Sequence, residues 1–318
     1  MRFVFLGSPP FATAVLERLI ASKHTPLALV TLPDRPRGRG QTLELSPLVS
    51  CAREHSLEVL QPADPHAPEF IETLRALSPD VLVVASYGVI LKDALLHLAP
   101  HGALNVHASL LPRHRGASPI QAAILAGDET TGVSLQRIVA RLDEGDVLVA
   151  LELPIGPEQS AGELLAALAP LGGEAALQGL DLIESGRARF TPQDPARASY
   201  ARKLKKEHGN LDFTRPAALL ARQVRAHNPW PGARCLDPKG RELVVHRARA
   251  HGKGCLGASG ELLDVGEHVS VACGEGALEL LEIVPAGKRP MSASEYLRGA
   301  RCARGELFTT PRIATEQA

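Results

Sequence analysis

Over its first half the chain alternates short apolar runs with helically spaced apolar residues. Arg2–Leu6, Leu27–Leu32 and Val81–Ala85 read as strands. The last, VLVVA, is the unbroken apolar run expected of a central strand covered on both faces. Val59–Leu60, Leu104–His107 and Gly132–Val139 continue the series. Phe11–Ala21, Ser46–His55, Pro68–Leu77 and Ser118–Ala126 have helical spacing. Ser46 before Pro47 and Ser118 before Pro119 are helix-start signals, and Gly127 is a stop. S-A-G-E at 160–163 is a capping box that opens a helix running to about Ser185. This alternation predicts a Rossmann-like domain: an open, mostly parallel sheet with helices on both faces.

The texture then changes. Residues 187–209 are polar, Pro-containing and basic. After a helical stretch at Ala217–Ala226 come β-type runs at 241–249, 268–273 and 277–284, separated by glycines, which predict a small barrel or sandwich. The expected division is a domain over 1–189, a basic linker over 190–207 and a smaller β domain over 208–318.

Composition adds one fact to this division. The chain has 35 basic and 35 acidic residues, but 1–189 holds 15 against 21 (net −6) and 190–318 holds 20 against 14 (net +6). A basic half on a neutral protein fits a polyanionic partner, because cations that neutralise phosphates release counterions. A solvated face explains it equally well. The cysteines at 51, 235, 255, 273 and 302 are scattered and form no C-x-x-C pair. They read as reduced thiols rather than a metal cage or disulfide framework. The opening MRFVFLG enters a strand without a signal-peptide pattern, and no apolar run nears the ~20 residues that span a bilayer. The expectation is a soluble, cytoplasmic protein with no membrane contact.

One strand carries unexpected polar residues, in G-A-L-N-V-H-A-S-L-L-P at 102–112. Side chains alternate along a strand, so Asn105 and His107 share a face near its carboxyl end. Ligands of open α/β sheets bind outside the strand carboxyl ends. Gly7-Ser8-Pro9, the basic loop at 34–40, Tyr87-Gly88 and RLDEGD at 141–146 each follow a strand and are expected at the same end. An imidazole can take a proton while an amide polarises a carbonyl, and Asp143 could orient the imidazole. Taken singly, a strand-end His or a turn Asp is more often structural.

Taken together, NVHASLLPRHRGASPIQ and Asp143 in LDEGD, 38 positions after Asn105, resemble the folate-dependent formyltransferases. Within that superfamily the likeness is to the branch that acts on methionyl-tRNA. GSPPFA (7–12), PDRPRGRG (33–40), ASYARKLKKE (198–207) and RAHNPWPGA (225–233) extend it along almost the whole chain. Pro10 stands where the family often has Asp, and Gln41 and Thr42 where it often has lysines.

The resemblance implies 10-formyltetrahydrofolate as donor, initiator methionyl-tRNA as acceptor, no metal and no obligate protein partner. It assigns Asn105, His107 and Asp143 to catalysis. Ser109, Leu110, Leu111 and Pro112, with Tyr87 and Gly88, would shape the folate pocket. Arg37 and Arg39 in the basic loop and Lys203, Lys205 and Lys206 in the linker would meet tRNA, and the second domain would be an OB-like β-barrel that binds it. Trp230, the sole tryptophan, is expected to be a buried anchor. Two alternatives stay open: an amino-sugar nucleotide formyltransferase using the same three residues, and a non-catalytic folate- or RNA-binding module.

Overall fold

The computed structural model describes residues 1–34, 46–252 and 257–311. Arg37, Arg39 and Cys255 lie outside the described residues. The chain divides into two compact units: 1–119 with 130–154 and 165–201, and 120–129 with 155–164 and the chain from Arg202 on.

The first unit is built on a seven-stranded sheet. The elements in chain order are β1 (Arg2–Gly7), α1 (Phe11–Ile20), β2 (Thr25–Val30), α2 (Pro47–Glu54), β3 (Glu58–Leu60), α3 (Pro68–Ala76), β4 (Val81–Ala85), the short α4 (Asp93–Leu96) and β5 (Ala103–His107). A two-residue strand β6 (Arg115–Gly116), the helix α5 (Pro119–Ala126), β7 (Thr130–Arg137), β8 (Val147–Pro154), α6 (Ala161–Glu184) and β9 (Tyr200–Ala201) follow, of which α5 beyond Pro119 and the first turn of α6 belong to the second unit. The sheet order is β3-β2-β1-β4-β5-β7-β8. Strands β3 to β5 are parallel to their neighbours, whereas β7 runs antiparallel to β5 and β8 antiparallel to β7. Strand order reverses between β1 and β4, the kind of switch point outside which open α/β sheets bind ligands, and β5 is the strand next to β4.

Local chemistry accounts for the elements. Ser46 Oγ accepts from the Val49 N–H at 3.2 Å, capping α2 ahead of Pro47. Ser160 and Glu163 form the reciprocal box: Ser160 N–H donates to Glu163 Oε2 at 2.8 Å and Glu163 N–H to Ser160 Oγ at 3.3 Å. Every residue of β4 is buried. In α6, Gly172 and Gly179 let the helix close on its neighbours, because a β-carbon there would collide with Phe11 and Leu135.

In the second unit, α7 (Ala217–Ala226), β10 (Ala233–Leu236), β11 (Glu242–His251), β12 (Leu262–Val265), β13 (Val269–Ala272), β14 (Ala277–Pro285), β15 (Met291–Ser292) and α8 (Ala293–Ala300) form a six-stranded antiparallel sheet with two helices. Its core includes Leu220, Val224, Leu243, Val245, Leu278 and Phe308. Strands β8, β10 and β12 and helix α8 carried no signal strong enough to be read beforehand. Trp230 corrects the expectation of a buried anchor, being 54% exposed. In the turn after α7 it is Pro231 that is buried, while Pro229 and Trp230 face out. Among the described residues the free cysteines 51, 235 and 273 are buried and Cys302 is half-buried. No described helix is long and apolar enough to cross a membrane.

Candidate active site

Asn105 and His107, alternate residues of β5, converge on one carboxylate. Asn105 Nδ2 donates to Asp143 Oδ1 at 3.4 Å, and His107 Nδ1 stands 3.7 Å from Asp143 Oδ2. The His107 and Asp143 side chains are only 6% and 9% exposed, so little water lies between the ring and the carboxylate. His107 Nε2 lies 3.0 Å from the His114 carbonyl oxygen. A carbonyl only accepts, so Nε2 carries the hydrogen and Nδ1 is the nitrogen turned towards Asp143.

Asp143 is held from three sides. The Gly116 N–H donates to Oδ2 at 2.8 Å, Gln136 Nε2 donates to Oδ1 at 2.8 Å, and Gln193 Nε2 donates to the Asp143 carbonyl at 2.9 Å. Its backbone is left-handed, with φ +52°, a region Asp tolerates better than most residues.

The route by which Asp143 reaches the site corrects the expectation that its loop leaves the same sheet end as the others. Strand β7 is antiparallel to β5, pairing Ser134 with His107 and Arg137 with Leu104, so it finishes at the amino end of β5. Residues 138–146 must turn back over the face carrying Asn105 and Gln136 to present the carboxylate. Gln136 lies opposite Asn105 and is 1% exposed. The sequence reading missed it, although Ser134 and Gln136, two apart in the apolar run GVSLQR, are a face signal of the same kind as Asn105 and His107. The N–H of Gly116, the carbonyl of His114 and the side chain of Gln193 carried no comparable signal.

The turn after β5 is pinned to β7. Ser134 Oγ donates to the Ser109 carbonyl at 2.8 Å and accepts from the Leu111 N–H at 3.0 Å. Ser109 is fully buried, and its hydroxyl donates to the Arg113 carbonyl at 2.6 Å, so this side chain builds the turn. Leu110, Leu111 and Pro112 are half-buried. Tyr87 is 2% exposed and packs in the cluster with Val84, Leu91 and Leu95; burial pushes its phenol up to about 12. Of the pair Tyr87-Gly88 it is Gly88, at φ +82°, that is exposed. In the second unit Lys203, Lys205 and Lys206 are exposed, with Lys205 Nζ 3.7 Å from Glu207.

Among the described residues, His24, Asp181 and Glu184 are grouped closely enough to hold a cation. Lys23 Nζ already pairs with both carboxylates, at 2.9 and 3.0 Å.

The site sets an amide donor, an imidazole and a carboxylate together at the carboxyl end of β5. An amide that can polarise a carbonyl beside an imidazole that can exchange a proton is a set suited to acyl transfer. Residues 1–180 match the family Formyl transferase, and residues 203–301 match Formyl transferase, C-terminal domain. The chain belongs to the formyltransferase family.

The methionyl-tRNA formyltransferase of Methylococcus capsulatus is 43% identical over 309 residues, covering 97% of this chain and 100% of that one. That of a Methylobacterium species is 45% identical over 305 residues, covering 95% and 97%. Membership thereby narrows to the methionyl-tRNA formyltransferases. Two solved structures share the fold at low identity. HypX from Aquifex aeolicus, in complex with tetrahydrofolic acid, has a TM-score of 0.61 at 20% identity over 93% of this chain and 47% of that one. An N-formyltransferase from Helicobacter canadensis, with folinic acid and dTDP-3-aminofucose, has a TM-score of 0.65 at 15% identity over 87% and 98%.

Proposed function

We propose that the chain transfers the formyl group of 10-formyltetrahydrofolate to the α-amino group of initiator methionyl-tRNA, giving N-formylmethionyl-tRNA for translation initiation. The observation that carries this is the convergence of Asn105 and His107 on Asp143. As the acceptor amine bonds to the formyl carbon, charge builds on the formyl oxygen, and the amide of Asn105 donates to it. Donors of this kind are typically worth ~10²–10³ in rate. His107 Nδ1 takes the proton that the amine loses, and Asp143 stabilises the ring while it is charged. The same proton then passes to the folate nitrogen as the bond from that nitrogen to the formyl carbon breaks. One proton leaves the acceptor and one reaches the departing nitrogen, so no further reactant is needed.

Leu110, Leu111, Pro112 and the Gly88 bend would bound the donor's pocket, with Ser109 fixing the turn. Arg37, Arg39, Lys203, Lys205, Lys206 and the basic second domain would contact tRNA phosphates. Such contacts position a nucleic acid without reading its sequence.

The test is formyl transfer to charged initiator tRNA by wild type and His107→Ala. Robust wild-type transfer, with a loss of ~10² or more in the variant, supports the function and site together. Wild-type transfer to a sugar-nucleotide amine and none to methionyl-tRNA would replace the acceptor. Transfer undiminished in His107→Ala would overturn the mechanism.

A further inference from the structure

Gln193 lies in the polar run after α6, within the stretch expected to be a linker, yet its amide is fully engaged at the site. Nε2 is 2.9 Å from the Asp143 carbonyl, 2.7 Å from the Gly145 carbonyl and 3.2 Å from Gln136 Oε1. Oε1 accepts from Arg115 Nε at 3.1 Å and Nη2 at 2.9 Å. Arg115 is 4% exposed, and its Nη1 pairs with Glu144 Oε1 at 3.2 Å. One neutral side chain thus donates to two carbonyls of the catalytic loop and accepts from a buried guanidinium. Glu could only accept and Lys only donate, so the position calls for an amide.

The surrounding segment is laced to the same parts. Thr191 and Val147 exchange two backbone bonds of 2.9 Å, and the Arg137 guanidinium lies 4.4 Å over the Phe190 ring. Ser199 Oγ accepts from the His114 N–H at 2.9 Å, and the Arg115 and Ala117 N–H groups donate to the carbonyls of Ser199 and Ala201 at 2.8 and 2.9 Å. Residues 114–117 supply the acceptor for His107 Nε2 and the donor for Asp143 Oδ2.

We infer that Gln193 is a positioning residue for the transfer reaction, holding residues 143–145 so that the Asp143 carboxylate faces His107 Nδ1. This rests on the formyl-transfer reading for its kinetic arm only. Gln193→Glu keeps the acceptor for Arg115 and sets an anion against two carbonyls; Gln193→Ala removes both roles. Both variants are expected to lower kcat ~10–100-fold, the usual effect of a misplaced catalytic group, with KM for 10-formyltetrahydrofolate nearly unchanged. A residue that merely supported folding would lower the active fraction and the melting temperature, and would leave Glu, which still pairs with Arg115, close to wild type.

Hydrogen exchange on the substrate-free proteins gives an independent reading. Amides of 138–146 should exchange faster in both variants, while those of β4 and β5 keep their protection. Wild-type kcat in Gln193→Glu, or unchanged exchange of 138–146 in Gln193→Ala, overturns the inference. A wild-type protein inactive on methionyl-tRNA would sink the proposed acceptor instead, and exchange alone would then decide the clamp.

Discussion

Asp143→Asn is the sharpest perturbation of the site because it changes almost nothing else. Asn has the same shape and tolerates the left-handed backbone at φ +52° as readily as Asp. It does, however, turn one oxygen into a donor where both oxygens now accept. With the new NH₂ at the Oδ1 position, it opposes the Gln136 and Asn105 amides, at 2.8 and 3.4 Å. With the NH₂ at the Oδ2 position, only the 2.8 Å bond from Gly116 is lost, so this orientation wins. It also aims an N–H at His107 Nδ1, now 3.7 Å from an oxygen, and blocks the proton-accepting nitrogen. A hydrogen bond to a charged group is worth about 1.5–3 kcal/mol. The lost ground-state bond should lower the melting temperature by roughly 3–12 °C for a unit of this size. Loss of the carboxylate beside the imidazolium, of similar worth, should lower kcat by ~10–100-fold. Single-turnover formylation together with a thermal melt separates the two effects. A D143N enzyme that melts early yet keeps kcat within about threefold of wild type, less than 1 kcal/mol, would refute the assignment of Asp143 to the proton path.

Three further outcomes are expected. Gly116→Ala should cost both stability and turnover, since φ is +113° and an added β-carbon would meet the Ala201 carbonyl at 2.5 Å; normal activity and melting would show that the β6–β9 pairing can shift freely. The buried His227 has its pKa lowered from 6.5 to about 4, by burial first and by His208 second. The unfolded chain therefore takes up this proton before the folded one does. Stability is full above pH ~6.5 and falls towards pH ~4 by about 3 kcal/mol at 1.36 kcal/mol per unit. Denaturant titrations at pH 7 and 5 should show this decline in wild type and a shallower one in His227→Phe; equal slopes would refute it. Replacing Lys203, Lys205 and Lys206 by Ala should reduce the slope of log tRNA affinity against log salt by about one unit for each phosphate no longer neutralised. An unchanged slope would remove these lysines from the interface.

Much of the first unit was legible because its signals are local. VLVVA can be buried on both faces only in a central strand, and Ser46-Pro47 starts a helix. Asn105 and His107 were legible for a related reason: strand alternation puts them on one face without knowledge of any partner. Ser134 and Gln136 offered the same cue. Trp230 misled because its proline-flanked turn was taken as apolar packing, whereas the buried member of that turn is Pro231.

What could not be read was strand direction and the hydrogen bonds that follow from it. Nothing in TTGVSLQR says that β7 runs against β5. With a parallel β7, the loop after it would have reached the crevice directly. Antiparallel pairing sends that loop to the wrong end of the sheet, and its return has to be secured at a residue whose left-handed backbone is disfavoured for most side chains. The side-chain amides of Gln136 and Gln193 and the N–H of Gly116 provide that restraint. The backbone donor leaves no trace in residue type, and Gln193 lies in a run whose polar composition looks like solvent exposure. A carboxylate delivered by a returning loop is only as well placed as the groups that tie it down. For that reason the part of the site hardest to see in the sequence is the part on which the placement of the Asp143 carboxylate depends.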